Sequence, residues 1–183
     1  MSTTTSIEYK NKALADVKVA LGDKVTNIFE IPNIAKVSIN IGVGKLENKD
    51  KQDVYNFLYK ITGQKPKQVK SRTSISNFKL RKGDVNGIMV TLRGQKMYDF
   101  LMDLVYIALP RIRDFKGLKK HAYDKNFSSY SLGIQNCNIF PQVGFDTNTN
   151  FGMQINIVFK NKVPENPALM TTLNFPFQKE LTK

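Results

Sequence analysis

Between Lys36 and Ile41 polar and apolar side chains alternate without a break, Lys-Val-Ser-Ile-Asn-Ile. Strict alternation is the signature of a strand buried on one face only. Val37, Ile39 and Ile41 share the inward side, Lys36, Ser38 and Asn40 the outward one. The same period returns at Ile88–Arg93, with Ile88, Val90 and Leu92 inward and Met89, Thr91 and Arg93 outward. It recurs at Met153–Phe159, whose apolar side is Met153, Ile155, Ile157 and Phe159, and Tyr130–Ile134 predicts one more strand.

Elsewhere the period lengthens to that of a helix. Ile7–Leu21 carries Ala13, Leu14, Val17, Ala20 and Leu21 on one stripe, with Gly22 as a C-cap. Asp50–Ile61 repeats the pattern through Val54, Phe57, Leu58 and Ile61 and ends at Gly63. A third helix opens after Gly94, presents Met97, Leu101, Leu104, Val105 and Ala108, and is stopped at Pro110. Pro167–Leu173 predicts a short fourth. Pro66–Ser76 reads as extended and basic, and Asn77–Asn86 as a Lys- and Arg-rich loop around Gly83. Residues 1–6 are a Ser/Thr run expected as a flexible tail, leaving 7–183 as a single domain.

Strands that are apolar on one side only favour an antiparallel sheet with helices packed on one face and the other face exposed, an α+β layer architecture. Its bare face would carry Lys36, Ser38, Asn40, Thr91 and Arg93. These are hydrogen-bonding groups, not the stacking aromatics that read splayed single-stranded bases.

Charge sharpens this picture. The 183 residues hold 28 Lys and Arg against 15 Asp and Glu, a net of +13. The segment from Lys65 to Lys96 contributes nine cations and one acid, and Arg111 to Lys125 six cations and two acids. Nearly all the excess therefore sits in two windows, which suits phosphates met at particular places better than charge spread for solubility. An anionic membrane surface is the weaker partner. The most apolar stretch, Phe100–Pro110, is too short to span a bilayer and contains Asp103. The N-terminus lacks the apolar region of a secretory signal, and the first Arg is Arg72, which argues against a transit peptide.

Catalytic and metal chemistry finds no footing. One cysteine, Cys137, and one histidine, His121, exclude a disulfide framework and the usual zinc sites. Gly42-Val-Gly-Lys45 resembles part of a phosphate-binding loop, but Ile39 and Leu46 stand where a glycine and a Ser or Thr are needed. Glu47 occupies the third glycine position of a dinucleotide fingerprint. Asp99 and Asp103 lie four apart on one helix without a base nearby and read as its solvated face. Cys137 reads as a buried small hydrophobe. His121, among Lys119, Lys120 and Lys125, is equally a phosphate contact or a plain loop residue. Neither an enzyme nor a cofactor is expected.

The segment Pro110-Arg-Ile-Arg-Asp-Phe-Lys-Gly-Leu118 is more specific, and it does not stand alone. Ile39-Asn-Ile-Gly-Val-Gly44, Gly63-Gln-Lys-Pro66, Phe78-Lys-Leu-Arg-Lys-Gly83, Val90-Thr-Leu-Arg-Gly94, Ile139-Phe-Pro141 and Asn174-Phe-Pro-Phe177 accompany it in order and spacing. Together they resemble the bacterial-type L-five family of large-subunit ribosomal proteins, from about residue 28 to residue 179. The first helix matches only through Tyr9-Lys10.

The resemblance implies an α+β domain whose sheet face holds 5S rRNA in the central protuberance, through Asn40, Gln64 and Thr91 with Lys36 and Arg93 beside them. It implies that the basic loop, with Lys70, Arg72, Lys79, Arg81 and Lys82, approaches P-site tRNA. Arg111, Arg113, Lys116, Lys119 and Lys120 would face large-subunit rRNA or a protein of the small-subunit head across an intersubunit bridge. Other central-protuberance ribosomal proteins are further expected partners. A bacterial cytoplasm or an organelle would be the setting. Departures fall at Lys125-Asn-Phe-Ser-Ser129, where the family's glycine-rich turn lacks glycine, and at Asn136, Gln142 and Gln154, which replace common acids and bring the bridge side into question. A free RNA-binding protein or chaperone using the same face is the alternative, separated by co-sedimentation with ribosomal subunits at low magnesium. A nucleotide-dependent RNA-modifying enzyme would reveal itself by binding nucleotide.

Overall fold

The computed structural model describes residues 3–21, 31–44, 46–78, 80–142, 151–161 and 164–178. Its elements run α1 (Thr3–Leu21), β1 (Ile34–Gly42), α2 (Asn48–Thr62), β2 (Lys67–Lys70), β3 (Val85–Leu92), α3 (Gln95–Asp103), β4 (Ser129–Ile134), β5 (Met153–Phe159) and α4 (Asn166–Thr172). The strands form one antiparallel five-stranded sheet in the order β2-β3-β1-β5-β4. The α+β architecture read from the alternation is the one observed.

β1 lies at the centre because it can bury a full side. Val37, Ile39 and Ile41 are completely buried, as are Ile88 and Leu92 of β3 and Ile155 and Ile157 of β5. Removing each such side chain from water contributes roughly 1.5–3 kcal/mol. Val54, Phe57 and Leu58 of α2 and Met97, Phe100 and Leu101 of α3 join them in one contiguous core. α2 packs on β3 and α3, and α1 lies across α3 and α4. Ala13 and Val17 are buried there, and the Tyr9 hydroxyl donates to the Leu173 carbonyl at 2.6 Å.

α2 stops where expected. Gly63 takes the left-handed conformation, φ 59°, and its N–H returns to the Tyr59 carbonyl at 2.9 Å. The expected C-cap Gly22, and Lys45 of the glycine-rich turn, lie outside the described residues.

Three boundaries differ from expectation. α1 begins at Thr3, so Thr3–Ser6, expected as tail, continue the helical backbone. β3 begins at Val85, inside the expected loop, because β2 pairs with its first residues. The helix after Gly94 does not run uniformly to Pro110: Leu104–Ala108 widens into a π turn, with the Leu109 N–H reaching the Leu104 carbonyl, before a single 3₁₀ turn at Leu109–Arg111. Pro110 has no N–H for the carbonyl four residues earlier, and a widened turn accommodates that loss. Among the described residues no helix is long and apolar enough to cross a membrane.

Candidate nucleic-acid interface

The outward residues of the strands form a grid. Cross-strand pairing sets Lys67, Met89, Asn40, Gln154 and Gly133 side by side across all five strands. A second row runs Thr91, Ser38, Asn156 and Ser131, and a third Lys36, Val158 and Ser129. Directly opposed residues of an antiparallel ladder point to the same side. The result is a face dominated by amides, hydroxyls and two lysines, with Met89 and Val158 between them, on which, among the described residues, no carboxylate stands. No described helix packs against it, and Asn40 and Gln154 are exposed on it.

Asn40 is held ready rather than satisfied. Its amide makes no hydrogen bond to another described residue, while Gln154 donates to Asn156 Oδ1 at 3.3 Å. Gln64 makes a structural bond at the rim of this face. β2 stops short of Thr91, and the Gln64 amide Nε2 donates to the Thr91 carbonyl at 3.2 Å, filling the place the missing strand would occupy. Gln64 and Thr91 thus share one rim. Arg93 is exposed just past the end of β3, and Lys36 is half-buried on β1.

The basic segment between β2 and β3 is not a structureless loop. The Ser71 N–H donates to the Asp84 carbonyl at 2.8 Å, Gly83 N–H to the Ser71 carbonyl at 3.0 Å, and Ile75 and Leu80 exchange both backbone bonds at 3.0 and 3.2 Å. The Asp84 carboxylate accepts from the Arg81 N–H at 2.9 Å. This excursion holds Arg72, Arg81 and Lys82 in solvent, with Lys70 exposed at its root. Lys79 lies outside the described residues.

Arg111, Arg113, Lys116, Lys119 and Lys120 gather at the opposite end of the sheet, all exposed, on the segment that runs past the outer edge of β4. Its backbone is pinned to the C-terminal stretch: the Leu118 N–H donates to the Pro176 carbonyl at 2.8 Å, and the Gln178 N–H to the Leu118 carbonyl at 2.9 Å. Gly117 adopts φ 95°, and a Cβ there would stand 2.8 Å from the Gln178 backbone, so only glycine fits. The Tyr130 hydroxyl donates to the Lys119 carbonyl at 3.0 Å, and burial pushes its pKa up to about 12. His121 is exposed beside these lysines. The three cationic or polar sets therefore occupy three places: a mostly uncharged polar face with two lysines, a basic excursion at the β2 end, and a basic wall at the β4 end.

The departures from the family pattern scatter. Asn136 lines the groove beside β4, Gln142 donates to the Asp103 carboxylate at 2.9 Å, and Gln154 stands beside Asn40 on the sheet face. They do not form one surface, which corrects their assignment to the bridge side as a group. In the turn without glycine, Phe127 takes φ 49°, a conformation that costs a bulky side chain of order 1 kcal/mol or more. Asp124 organises that turn, accepting from the Ser128 hydroxyl at 2.9 Å, and the buried Asn166 amide donates to the Phe127 carbonyl at 2.6 Å.

The groups set aside as chemistry behave accordingly, with one correction. Cys137 is 1% exposed, and burial pushes its thiol up to about 12. Asp99 is exposed, but Asp103 is half-buried, and burial first, then the neighbouring Asp99, raise its carboxyl above the usual range while Gln142 holds it down. It is a partly buried group bonded to Gln142, not a fully solvated one. Among the described residues no cluster of three metal-ligating side chains occurs.

Ser131, Gln154 and Asn156 belong to the exposed grid and are absent from the sequence-based set. The alternation of Met153–Phe159 contained the signal for two of them, as its polar positions.

Family models cover the chain in two consecutive pieces: ribosomal protein L5 over residues 27–81 and the C-terminus of the same ribosomal family over residues 85–177. The large ribosomal subunit protein uL5 of Polynucleobacter asymbioticus is 38% identical over 182 residues, covering 97% of this chain and 99% of the relative. That of Bordetella pertussis is 40% identical over 174 residues, 93% and 96% of the two chains. That of Wigglesworthia glossinidia brevipalpis is 41% identical over 175 residues, 93% and 97%.

Proposed function

The chain belongs to the ribosomal protein L5 family, and from that premise we propose that it is a constituent of the large ribosomal subunit whose exposed sheet face holds 5S rRNA in the central protuberance. Members of the family are structural, not enzymatic. The observation that carries this reading is the carboxylate-free grid, in which Asn40, Thr91, Ser38, Gln154 and Asn156 sit in register on a rigid sheet. Neutral amides and hydroxyls both donate and accept, which matches 2′-hydroxyls and base edges of a folded RNA. Phosphate contacts from the flanking cations then fix position, and the grid fixes register.

The same reading gives the two basic ends different partners. The excursion bearing Arg72, Arg81 and Lys82 reaches toward P-site tRNA, and the wall bearing Arg111, Arg113, Lys116, Lys119 and Lys120 faces rRNA or a small-subunit head protein. Other proteins of the central protuberance complete the surroundings. The relatives are bacterial, which makes a bacterial ribosome in the cytoplasm the favoured setting over an organellar one.

Filter binding of the full chain to 5S rRNA, against an unstructured RNA of equal length, tests the central claim. Selective binding to the folded RNA is the expected result. Equal retention of both would overturn it.

A further inference from the structure

A groove of about 720 Å³ runs along β4, walled on its far side by the segment 111–119, a volume typical of sites that receive a ligand. Among the described residues β4 is the last strand of the sheet, and one of its edges has no neighbouring strand. The Phe159 N–H donates inward to the Ser128 carbonyl, and the Asp124 N–H donates from outside to the Ser129 carbonyl. Alternation therefore turns the backbone groups of Ser129, Ser131 and Gly133 away from β5. Tyr123 bridges to Tyr130 and takes up the first half of this edge. The second half, at Gly133, lines the groove, and among the described residues no backbone group pairs with it there.

Arg111, Arg113 and Lys119 line the groove, and among the described residues no carboxylate does. Ile112, Leu132 and Ile139 give it an apolar lining, and Arg111 is steadied by donating to the Ile139 carbonyl at 3.5 Å.

We propose that this groove receives an extended acidic peptide of a neighbouring protein, which adds to β4 as a sixth strand. Its backbone pairs with Gly133, and its carboxylates meet Arg111, Arg113 and Lys119. A strand edge offers N–H and C=O in the repeat that only another peptide backbone matches, so a peptide fits where RNA would answer the cations alone. A second copy of this chain, carrying +13, is repelled. The inference rests on the protein-facing reading of the 111–120 segment for the source of the peptide, and because Ser131 and Gly133 also stand at the margin of the sheet face, the peptide would lie beside the RNA held there.

Fluorescence anisotropy with the full chain and a labelled hexapeptide alternating Glu and Val tests it. Saturable binding is expected, weakened about tenfold or more when Lys replaces Glu. Methylating alternate backbone nitrogens should weaken binding about tenfold for one of the two alternate sets, the one facing β4. Gly133→Pro removes the outward N–H at an edge position where proline is tolerated and should lose binding, whereas Gly133→Ala should keep it. Should Gly133→Pro fail to fold, the methylated peptides ask the same question of the natural chain. No binding by the parent peptide, or equal binding by both methylated forms and by a folded Gly133→Pro, would overturn the proposal. So would a single-stranded oligouridylate that displaces the peptide and loses affinity in Arg111→Gln and Arg113→Gln but not in Gly133→Pro. Measuring 5S rRNA affinity alongside separates failure of this inference from failure of the sheet-face reading.

Discussion

The sheet face and the excursion between β2 and β3 are adjacent, yet they are built on opposite principles. The face is mostly uncharged and rigid: its polar groups stand on strands whose other side is the core, so each position is fixed to the precision of the ladder. The excursion is cationic and held mainly by its own backbone bonds, with Arg72, Arg81 and Lys82 in solvent. A point charge acts at a distance and tolerates displacement; a hydrogen bond does not. Register therefore belongs on the sheet, and attraction on the projections.

The largest effect that can break this division is salt. If the cations of the basic windows outside the tip of the excursion neutralise about four to eight phosphates, affinity for 5S rRNA should fall on the order of 10²- to 10⁴-fold for a fourfold rise in salt. A flat titration would mean that attraction does not reside in the cations. Next in size, changing Lys79, Arg81 and Lys82 together to alanine should weaken P-site tRNA retention about tenfold while leaving 5S rRNA affinity intact. The opposite pattern would show the two surfaces exchanged.

Smaller again, Asn40→Ala and Thr91→Val should each weaken 5S rRNA binding by about 1 kcal/mol, roughly fivefold. Their losses should persist at high salt, since no counterions are released, and the melting temperature of the free protein should hardly move. Full affinity in both folded variants would remove the face from the interface.

The smallest expected effect lies on the helix layer. Burial raises the Asp103 carboxyl, so the folded chain binds that proton more tightly than the unfolded one. Its contribution to stability is present at low pH and is lost as pH rises through the raised folded value. Asp103→Asn should accordingly raise the neutral-pH melting temperature slightly and flatten the acid side of the stability profile, read by circular dichroism melts. A lowered melting temperature at neutral pH would mean that the ionised carboxylate stabilises the fold through Gln142.

What was legible in the sequence was whatever repeats locally. Val37, Ile39 and Ile41 alternate in sequence and are fully buried in the fold, and the stripe from Met97 to Ala108 is buried throughout. β2 escaped recognition as a strand because all four of its residues are exposed, so edge pairing left no apolar period to detect. The π turn is invisible for a related reason: one widened turn shifts the phase too little to disturb the stripe. Asn40 and Thr91 could be placed on outward faces from alternation alone. That Gln154 sits beside Asn40 depends on the register between β1 and β5, which no local pattern encodes. Nor could spacing reveal that Gln64 spends its amide on the Thr91 carbonyl, since that bond replaces a strand that ends early.

The strand order also sets a timetable. β1 lies between β3 and β5, so its second neighbour is synthesised after most of the chain has already emerged. Contacts between residues so far apart in sequence form slowly, because the intervening chain must be drawn together first. Until β5 arrives, Asn40 has Met89 on one side and an unpaired edge on the other. If that face is the RNA site, as proposed, a growing chain has no finished surface to offer until β5 has emerged, and RNA capture would wait for a nearly complete polypeptide.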